Sequence, residues 1–164
     1  TPHDVFQCDI VPNADHVVTT VQSWEYRNGN EMHWPGGDID LLCGKDDTSG
    51  YKHIRHRHQW GTFNQPNAWE TVRSSASDAL GYSSPQPWDW YMLAAATDTI
   101  NQSFITIKNS SAQKVCFSAP WHIWKDGIPY ATYYANTIVS SSNFTIVTAF
   151  PSNRSQGSAC WQGL

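Results

Sequence analysis

The stretch WHIWKDGIPYATYY, residues 121–134, places two runs of β-branched and aromatic residues on either side of Asp126-Gly127. Such runs favour β-strands, and Asp-Gly tolerates the positive φ angles that a type I′ turn requires, so this stretch predicts a β-hairpin. Similar runs lie before and after it. We expect strands at Phe104–Ile107, Lys114–Ser118, Trp121–Lys125, Ile128–Tyr134, Thr137–Ser140 and Phe144–Phe150. Together they predict an antiparallel meander in the C-terminal part of the chain.

A helix is predicted before these strands, between Asn67 and Gly81. Asn67 and Glu70 have the spacing of a capping box, and Gly81 can end the helix. The apolar positions form one stripe: Trp69, Val72, Ala76, Ala79 and Leu80. A helix followed by a sheet predicts an α+β fold, with an N-terminal helical part packed on a C-terminal antiparallel sheet.

The rest of the chain offers only loop signals, at Asn28–Asn30, Pro35–Asp38 and Ser83–Pro87. Since no repeat or linker divides the sequence, we expect a single domain over residues 1–164.

The composition is typical of a secreted protein. Charged residues make up 15% of the chain, against roughly 25% in most soluble proteins. The longest apolar run, Trp90–Ala96, is far shorter than the roughly 20 residues that span a bilayer, so no membrane partner is expected. The chain begins at Thr1-Pro2 without a signal segment, which suggests a processed mature form or an excised domain.

The four cysteines favour two disulfides, because their number is even and they lack the CxxC spacing of metal and redox sites. They are Cys8, Cys43, Cys116 and Cys160. Three pairings are possible, and we favour Cys8 with Cys160 and Cys43 with Cys116. Four N-x-S/T sequons predict surface glycans if the source is a secreting eukaryote: Asn101, Asn109, Asn143 and Asn153.

The stretch GYKHIRHRHQW, residues 50–60, is the strongest indication of chemistry. Three of the seven histidines and three of the ten Lys/Arg residues lie in seven consecutive positions, 52–58. Imidazole both takes and gives a proton near neutrality, while cationic groups hold an anion beside it. In an α-helix His53, His56 and Arg57 would share a face, with His58 turned away by about 140°. In a strand, His56 and His58 would share one.

Two other interpretations of this stretch remain open. A metal site is disfavoured because Lys52, Arg55 and Arg57 crowd positive charge where a cation would sit, so we expect neither a metal nor a cofactor. The alternative is a solvated basic face whose histidines satisfy local hydrogen bonds.

Two motifs resemble a known group of nucleases. Leu42-Cys43-Gly44, Gly50–Ile54 and Arg57-His58, with Trp60 behind, resemble the "CG...GY(R/K)HI..RH" signature of secreted actinobacterial and fungal proteins related to polymorphic-toxin nuclease domains. FTIVTAFP, residues 144–151, is similar to the strand that closes such domains, which belong to the barnase, EndoU, colicin-type and RelE-like (BECR) group. The resemblance covers residues 42–152 as a nuclease-like core and leaves the first 41 residues unassigned.

The resemblance implies metal-independent cleavage of RNA, in which the ribose 2′-hydroxyl attacks the adjacent phosphorus and leaves a 2′,3′-cyclic phosphate. His53 and His58 are then the acid and base, Arg57 with Lys52 or Arg55 holds the phosphate, and Thr148 donates a hydroxyl. His56 lies outside the signature. Single-stranded or structured RNA would be the substrate, and an immunity or inhibitor protein a possible partner. Base stacking by Tyr51, Trp60 or Trp69 competes with core packing, which is the more common use of such residues.

Two non-enzymatic functions compete with this one. Exposed Trp and Tyr side chains of the second half would suit a carbohydrate-binding module, because Trp88 and Trp90 would share a strand face, as would Tyr130 and Tyr134. The same aromatic surface would also suit a secreted effector that binds a protein target. The net charge of −4 argues against broad nonspecific binding of nucleic acid, so an RNA enzyme would need a local basic cleft.

Overall fold

The computed structural model describes residues 7–10, 13–61, 68–81, 86–103, 105–153 and 159–160. Six strands form one mixed sheet in the order β1-β2-β6-β5-β4-β3. They are β1 Val17–Asn28, β2 Glu31–Leu42, β3 Ile105–Asn109, β4 Lys114–Lys125, β5 Ile128–Ser140 and β6 Thr145–Ser152. The helices are α1 Tyr51–Ile54, which continues as a π-helical turn over Arg55–Gln59, α2 Trp69–Leu80 and α3 Trp88–Asn101. A further helical turn covers residues 7–10. The predicted α+β class is confirmed.

The C-terminal meander follows the sequence prediction closely. Asp126 and Gly127 both have positive φ, 52° and 78°, and Lys125 pairs with Ile128 across the turn. Strands β3 to β6 are antiparallel neighbours. Two of these strands are longer than predicted. Strand β4 joins two predicted runs and continues through Pro120 between them, and β5 joins the next two and continues through Asn136.

The sheet is wider than predicted, and it is not purely antiparallel. Strands β1 and β2 form a long hairpin from residues for which we predicted no strand. Asp40 of β2 lies beside Thr145 of β6 in parallel, and the Asp40 N–H donates to the Phe144 carbonyl at 2.9 Å. The loop expected at Pro35–Asp38 lies inside β2, where Gly36 and Gly37 adopt positive φ.

Helix α2 has the predicted extent but not the predicted N-terminal cap. Asn67 lies outside the described residues, and the N-cap residue Ala68 provides no side-chain hydrogen bond. Glu70 instead accepts a bond from Gln59 Nε2 at 3.2 Å, which ties the end of the π-helical turn to α2. Gly81 ends the helix in the left-handed conformation, as predicted.

Helix α3 is a correction to the sequence analysis, which identified only an apolar run there. The helix packs against α2 and the sheet, and it is apolar around most of its circumference, so it lacks the one-sided pattern of a surface helix. Trp88 is buried whereas Trp90 is 48% exposed. The prediction that these two rings share a strand face is therefore wrong.

The disulfides join Cys8 to Cys43 and Cys116 to Cys160. The prediction of two disulfides is thus confirmed. The favoured pairing is wrong, because in each favoured pair the two cysteines lie on opposite faces of the sheet. Cys8 and Cys43 belong to the helix-side cluster, which includes Trp34, Ile54 and Phe117. Cys116 and Cys160 belong to the outer cluster on the other face, formed by Cys116, Ile138, Phe150, Ala159 and Cys160.

Among the sequons, Asn143 and Asn153 are exposed, while Asn101 and Asn109 are half-buried. No helix in the described part of the chain is long and apolar enough to cross a membrane.

Candidate active site

The His-rich segment docks on β6 where this strand separates from β2. After the pairing of Asp40 with Thr145, no further pair joins the two strands among the described residues. The carbonyls of Val147 and Ala149 then accept hydrogen bonds from the Gly50 N–H and the Trp69 indole N–H, each at 3.0 Å. Val147 is the extra residue of a β-bulge, since Ile146 and Thr148 pair with consecutive residues of β5.

Two positions of the nuclease-like signature must be glycine because neighbouring backbone atoms leave no room for a Cβ. Gly44 and Gly50 have φ of +64° and +85°. A Cβ on Gly44 would lie 1.8 Å from the Ser49 carbonyl oxygen, and one on Gly50 would lie 2.6 Å from the Leu42 carbonyl oxygen. The Lys52 N–H donates to the Cys43 carbonyl at 2.9 Å, so the start of α1 is held against the end of β2. The spacing of Cys43, Gly44 and Gly50 therefore has a structural reason of its own.

The π-helical turn brings His53 and His58 together. Five residues in a regular α-helix would leave them about 140° apart, whereas the wider π turn bonds residues five apart and returns His58 to the side of His53. Their ring centroids lie 6.1 Å apart with the planes at 77°. In a regular helix His53 would share a face with His56, but here it shares one with His58.

His58 is packed against an apolar ring. It stacks on Phe150 of β6 with a centroid distance of 5.2 Å and an interplanar angle of 27°. Burial, and then the positive charges of His53 and Arg57, lower the pKa of His58 to about 4. This imidazole is therefore neutral at pH 7.

His53 is oriented by the backbone. Its Nδ1 lies 3.1 Å from the Asp46 carbonyl oxygen. Because a carbonyl only accepts, Nδ1 carries a hydrogen, and Nε2 is the position at which this ring gains or loses its proton. Burial lowers the pKa of His53, the bond to Asp46 opposes that shift, and nearby Arg57 adds to it.

The basic residues of the segment differ in their availability. Arg57 and His56 are exposed, and Lys52 is half-buried. Arg55 forms a two-bond ion pair with Asp9, at 2.8 and 3.2 Å, and its guanidinium lies 5.5 Å from the Tyr51 ring centroid. The bond to Arg55 lowers the pKa of Asp9. Arg55 therefore fixes the segment to the N-terminal region, and Arg57 is better placed to bind an anion.

Tyr51 is a core residue. Only 2% of it is exposed, its ring stacks on Trp88 at 5.7 Å, and its hydroxyl donates to Asp89 Oδ2 at 3.0 Å. Burial, followed by the charge of Asp89, raises the pKa of Tyr51. Trp69 is buried too, whereas Trp60 is exposed. Of the three aromatics considered for base stacking, Trp60 is the accessible one.

Thr148 lies on the same face of β6 as Phe150, two residues before it. It is 6% exposed, and its hydroxyl has no hydrogen-bond partner among the described residues. A buried hydroxyl without a partner costs about 1–3 kcal/mol. Such a group is unusual in a core and keeps its full capacity to donate a bond.

The sequence analysis gave no role to two groups that shape this site. Phe150 provides the surface under His58, and the Asp46 carbonyl fixes His53. Both depend on tertiary contacts that no local pattern encodes. In the part of the chain that the structure describes, no three His, Cys, Asp or Glu side chains are grouped so as to hold a metal ion.

Comparison of the chain with protein families, with curated proteins and with solved structures gives no match. The functional conclusion therefore depends on the residues of the site.

Proposed function

We propose that this protein is a secreted endoribonuclease that cleaves RNA without a metal and leaves a 2′,3′-cyclic phosphate. The main support is the His53–His58 pair, whose rings lie 6.1 Å apart with the cationic Arg57 close by. Two imidazoles at this separation can contact the two oxygens that exchange protons on opposite sides of one phosphorus.

The reaction assigns a different task to each histidine. Neutral His58 takes the proton of the 2′-hydroxyl while the O2′–P bond forms. Protonated His53 gives its proton to the leaving 5′-oxygen while the P–O5′ bond breaks. His58 is the base because its pKa, about 4, keeps it neutral at most pH values. Burial also lowers the pKa of His53, but the bond to Asp46 opposes that shift and helps this ring to keep its proton.

Arg57 is the proposed phosphate ligand, assisted by Lys52. A guanidinium stabilises the negative charge that builds on the non-bridging oxygens in the transition state. Trp60 is exposed beside the segment and would stack on an unpaired base, which favours single-stranded RNA. The Thr148 hydroxyl is buried, so it would donate to the same phosphate only if the surface above it opens when RNA binds.

The extracellular assignment is part of this proposal. The two disulfides are compatible with an oxidising compartment, where such bonds form and persist. A toxin of this kind would require an inhibitor protein in the producing cell.

The test is cleavage of labelled single-stranded RNA by wild-type protein and by the variants His53→Ala, His58→Ala and His56→Ala, with and without EDTA. We expect EDTA-resistant cleavage that falls by about 100-fold or more in the first two variants. His56→Ala is the matched control, because His56 is exposed in the same segment and has no proposed role.

Folding is checked by thermal unfolding, and His58→Gln is included because His58 packs on Phe150. A folded wild type that leaves RNA intact would overturn the proposal, and so would full activity in folded His53→Ala.

A further inference from the structure

A second surface lies away from the histidine pair, at the free edge of β4. Strand β3 pairs with β4 only as far as Ser118, so the edge of β4 beyond it has no strand partner among the described residues. A cavity of about 420 Å³ lies between this edge and α3, and an adjoining cavity of about 350 Å³ lies between it and α2. We call this surface the aromatic groove, formed by Trp90, Asp98, Gln102, Trp121, His122 and Trp124.

The rings of the aromatic groove are held in place before any ligand binds. The Trp121 indole N–H donates to Asp98 Oδ2 at 2.8 Å, and the ring lies edge-on to Tyr91. His122 Nδ1 is 2.8 Å from the Thr132 hydroxyl, and its ring lies 5.4 Å from that of Trp124. Trp90 and Trp124 are nevertheless 48% and 57% exposed. Solvated indole faces of this kind can stack on flat apolar surfaces.

The polar groups of the groove suit a neutral ligand that carries many hydroxyls. Asp98 accepts hydrogen bonds, and Gln102 both donates and accepts. Among the described residues that line the two cavities, none is Lys or Arg. The nearest ammonium group in sequence, on Lys125, lies 5.5 Å from the Tyr130 ring centroid. An anionic ligand would thus meet the Asp98 carboxylate in the first cavity, while Arg73, beside the second, is paired with Glu70 and bonded to the Gln86 carbonyl.

Addition of a peptide strand to the β4 edge is disfavoured by the same geometry. Pro120 removes one backbone donor from this edge, and α3 flanks it with Asp98 and Gln102. Sugar rings, by contrast, have apolar C–H faces that stack on indole and hydroxyl edges that bond to carboxylates and amides.

We propose that the aromatic groove binds a chain of neutral sugars, with Trp124 and Trp90 stacking on successive rings and Asp98 and Gln102 bonding their hydroxyls. Two adjoining cavities, each within the size range of small-ligand sites, accommodate consecutive units of one chain. This site does not depend on RNA cleavage and would attach the protein to a glycan-bearing surface.

The test is titration calorimetry of wild-type protein with cellohexaose, N-acetylchitohexaose, mannohexaose and xylohexaose, each to about 10 mM, which saturates a site with a Kd of about 1 mM. A sulfated heparin hexasaccharide and an extended hydrophobic peptide are titrated in parallel. We expect saturable binding of at least one neutral hexasaccharide.

The variants are Trp124→Ala, Trp90→Ala and the matched control Trp24→Ala. Trp24 is 70% exposed on β1 and does not line either cavity of the groove. We expect the first two to weaken the sugar by about tenfold or more and the control to leave it unchanged. The proposal fails if no neutral sugar binds folded wild type, if the heparin fragment or the peptide binds in their place, or if folded Trp124→Ala binds as well as wild type.

Discussion

At the scale of single residues, the site depends on what surrounds two imidazole rings. His58 is stacked on Phe150, and the resulting loss of hydration disfavours its charged form. His53 has the compensating bond to the Asp46 carbonyl, which favours its charged form. Burial thus lowers the pKa of both rings, but the bond to Asp46 opposes the shift at His53, which makes His53 the better candidate for the proton donor and His58 for the acceptor.

RNA cleavage should be fastest at acidic pH. Above the pKa of His53, which lies below its usual 6.5, the proton donor is lost and the rate falls about tenfold per pH unit. Below about pH 4, His58 becomes protonated and the base is lost. We therefore expect a bell-shaped profile with its maximum between about pH 4 and pH 6.5. The measurement is kcat/KM against pH, with an NMR titration of the histidine ring protons; a His58 midpoint near 6.5 would contradict the assignment.

Replacement of Thr148 by Val should change stability and activity in opposite directions. The hydroxyl is buried and has no partner in the described part of the chain, so its removal should raise the free energy of unfolding by about 1 kcal/mol. If the hydroxyl contacts the phosphate during cleavage, kcat should fall at the same time. Urea unfolding and RNA cleavage are measured on the same samples, with Thr19→Val, a half-buried residue of β1, as the control. A loss of stability in Thr148→Val would mean that the hydroxyl has a partner in solution.

At the scale of elements, local patterns predicted the pieces whose structure depends on local chemistry. Asp126-Gly127 encodes its own turn, and helix α2 shows a one-sided apolar stripe ending at Gly81. Strand β2 was missed because Pro35, Gly36 and Gly37 are loop signals, and only its pairing with β1 overrides them. Helix α3 was missed because apolar residues such as Trp90 and Leu93 also lie outside its buried face and hide the helical periodicity of the sequence.

The His-rich segment stands out in the sequence as a candidate site, but its geometry could not be predicted from the sequence. Tyr51 and Ile54 pack in the helix-side cluster, whereas His58 reaches Phe150 of the outer cluster, so the segment passes around the edge of β6. The π-helical turn that makes this passage has no sequence signature, because it arises from anchoring at both ends. Gly50 is bound to Val147 at one end and Gln59 to Glu70 at the other.

Replacement of Gly50 by Ala should disrupt the docking of this segment. The alanine would have to adopt a φ of +85°, and its Cβ would lie 2.6 Å from the Leu42 carbonyl oxygen. With ψ at −167°, this residue lies in a backbone region that is almost restricted to glycine, so the conformational penalty is about 1–3 kcal/mol, and the contact with backbone adds to it. Gly29→Ala is the matched control, because Gly29 also has positive φ but has open space where its Cβ would be. Urea unfolding should show a larger loss for Gly50→Ala, and equal losses would rule out the contact.

At the scale of the whole molecule, one sheet supports two separate clusters, and each contains a disulfide. Val115 and Phe117 face the helices, while Cys116 between them faces the outer cluster. The strand order keeps the histidine pair and the aromatic groove on different parts of the surface, because β5 lies between β6, which the histidine segment contacts, and β4, whose free edge borders the groove. The proposed cleavage and glycan sites can therefore be altered independently.

The two disulfides should stabilise the protein additively. They close non-overlapping loops of 35 and 44 residues, so each restricts a different part of the unfolded chain and should contribute about 4 kcal/mol in the chain-entropy model. Their clusters lie on opposite faces of the sheet, which leaves them no shared contacts through which to couple. We expect Cys8→Ser/Cys43→Ser and Cys116→Ser/Cys160→Ser each to lose about this amount, and the quadruple variant to lose the sum.

Because a loss of about 8 kcal/mol would consume most of the stability of a typical domain, all four proteins are unfolded with urea in a concentration of trimethylamine N-oxide that keeps the quadruple variant folded. A coupling energy above about 1 kcal/mol would show that the two faces are not independent. In that case the disulfide of the outer cluster would also support the helix-side cluster through the strands they share, and substitutions on either face would be expected to affect the histidine pair.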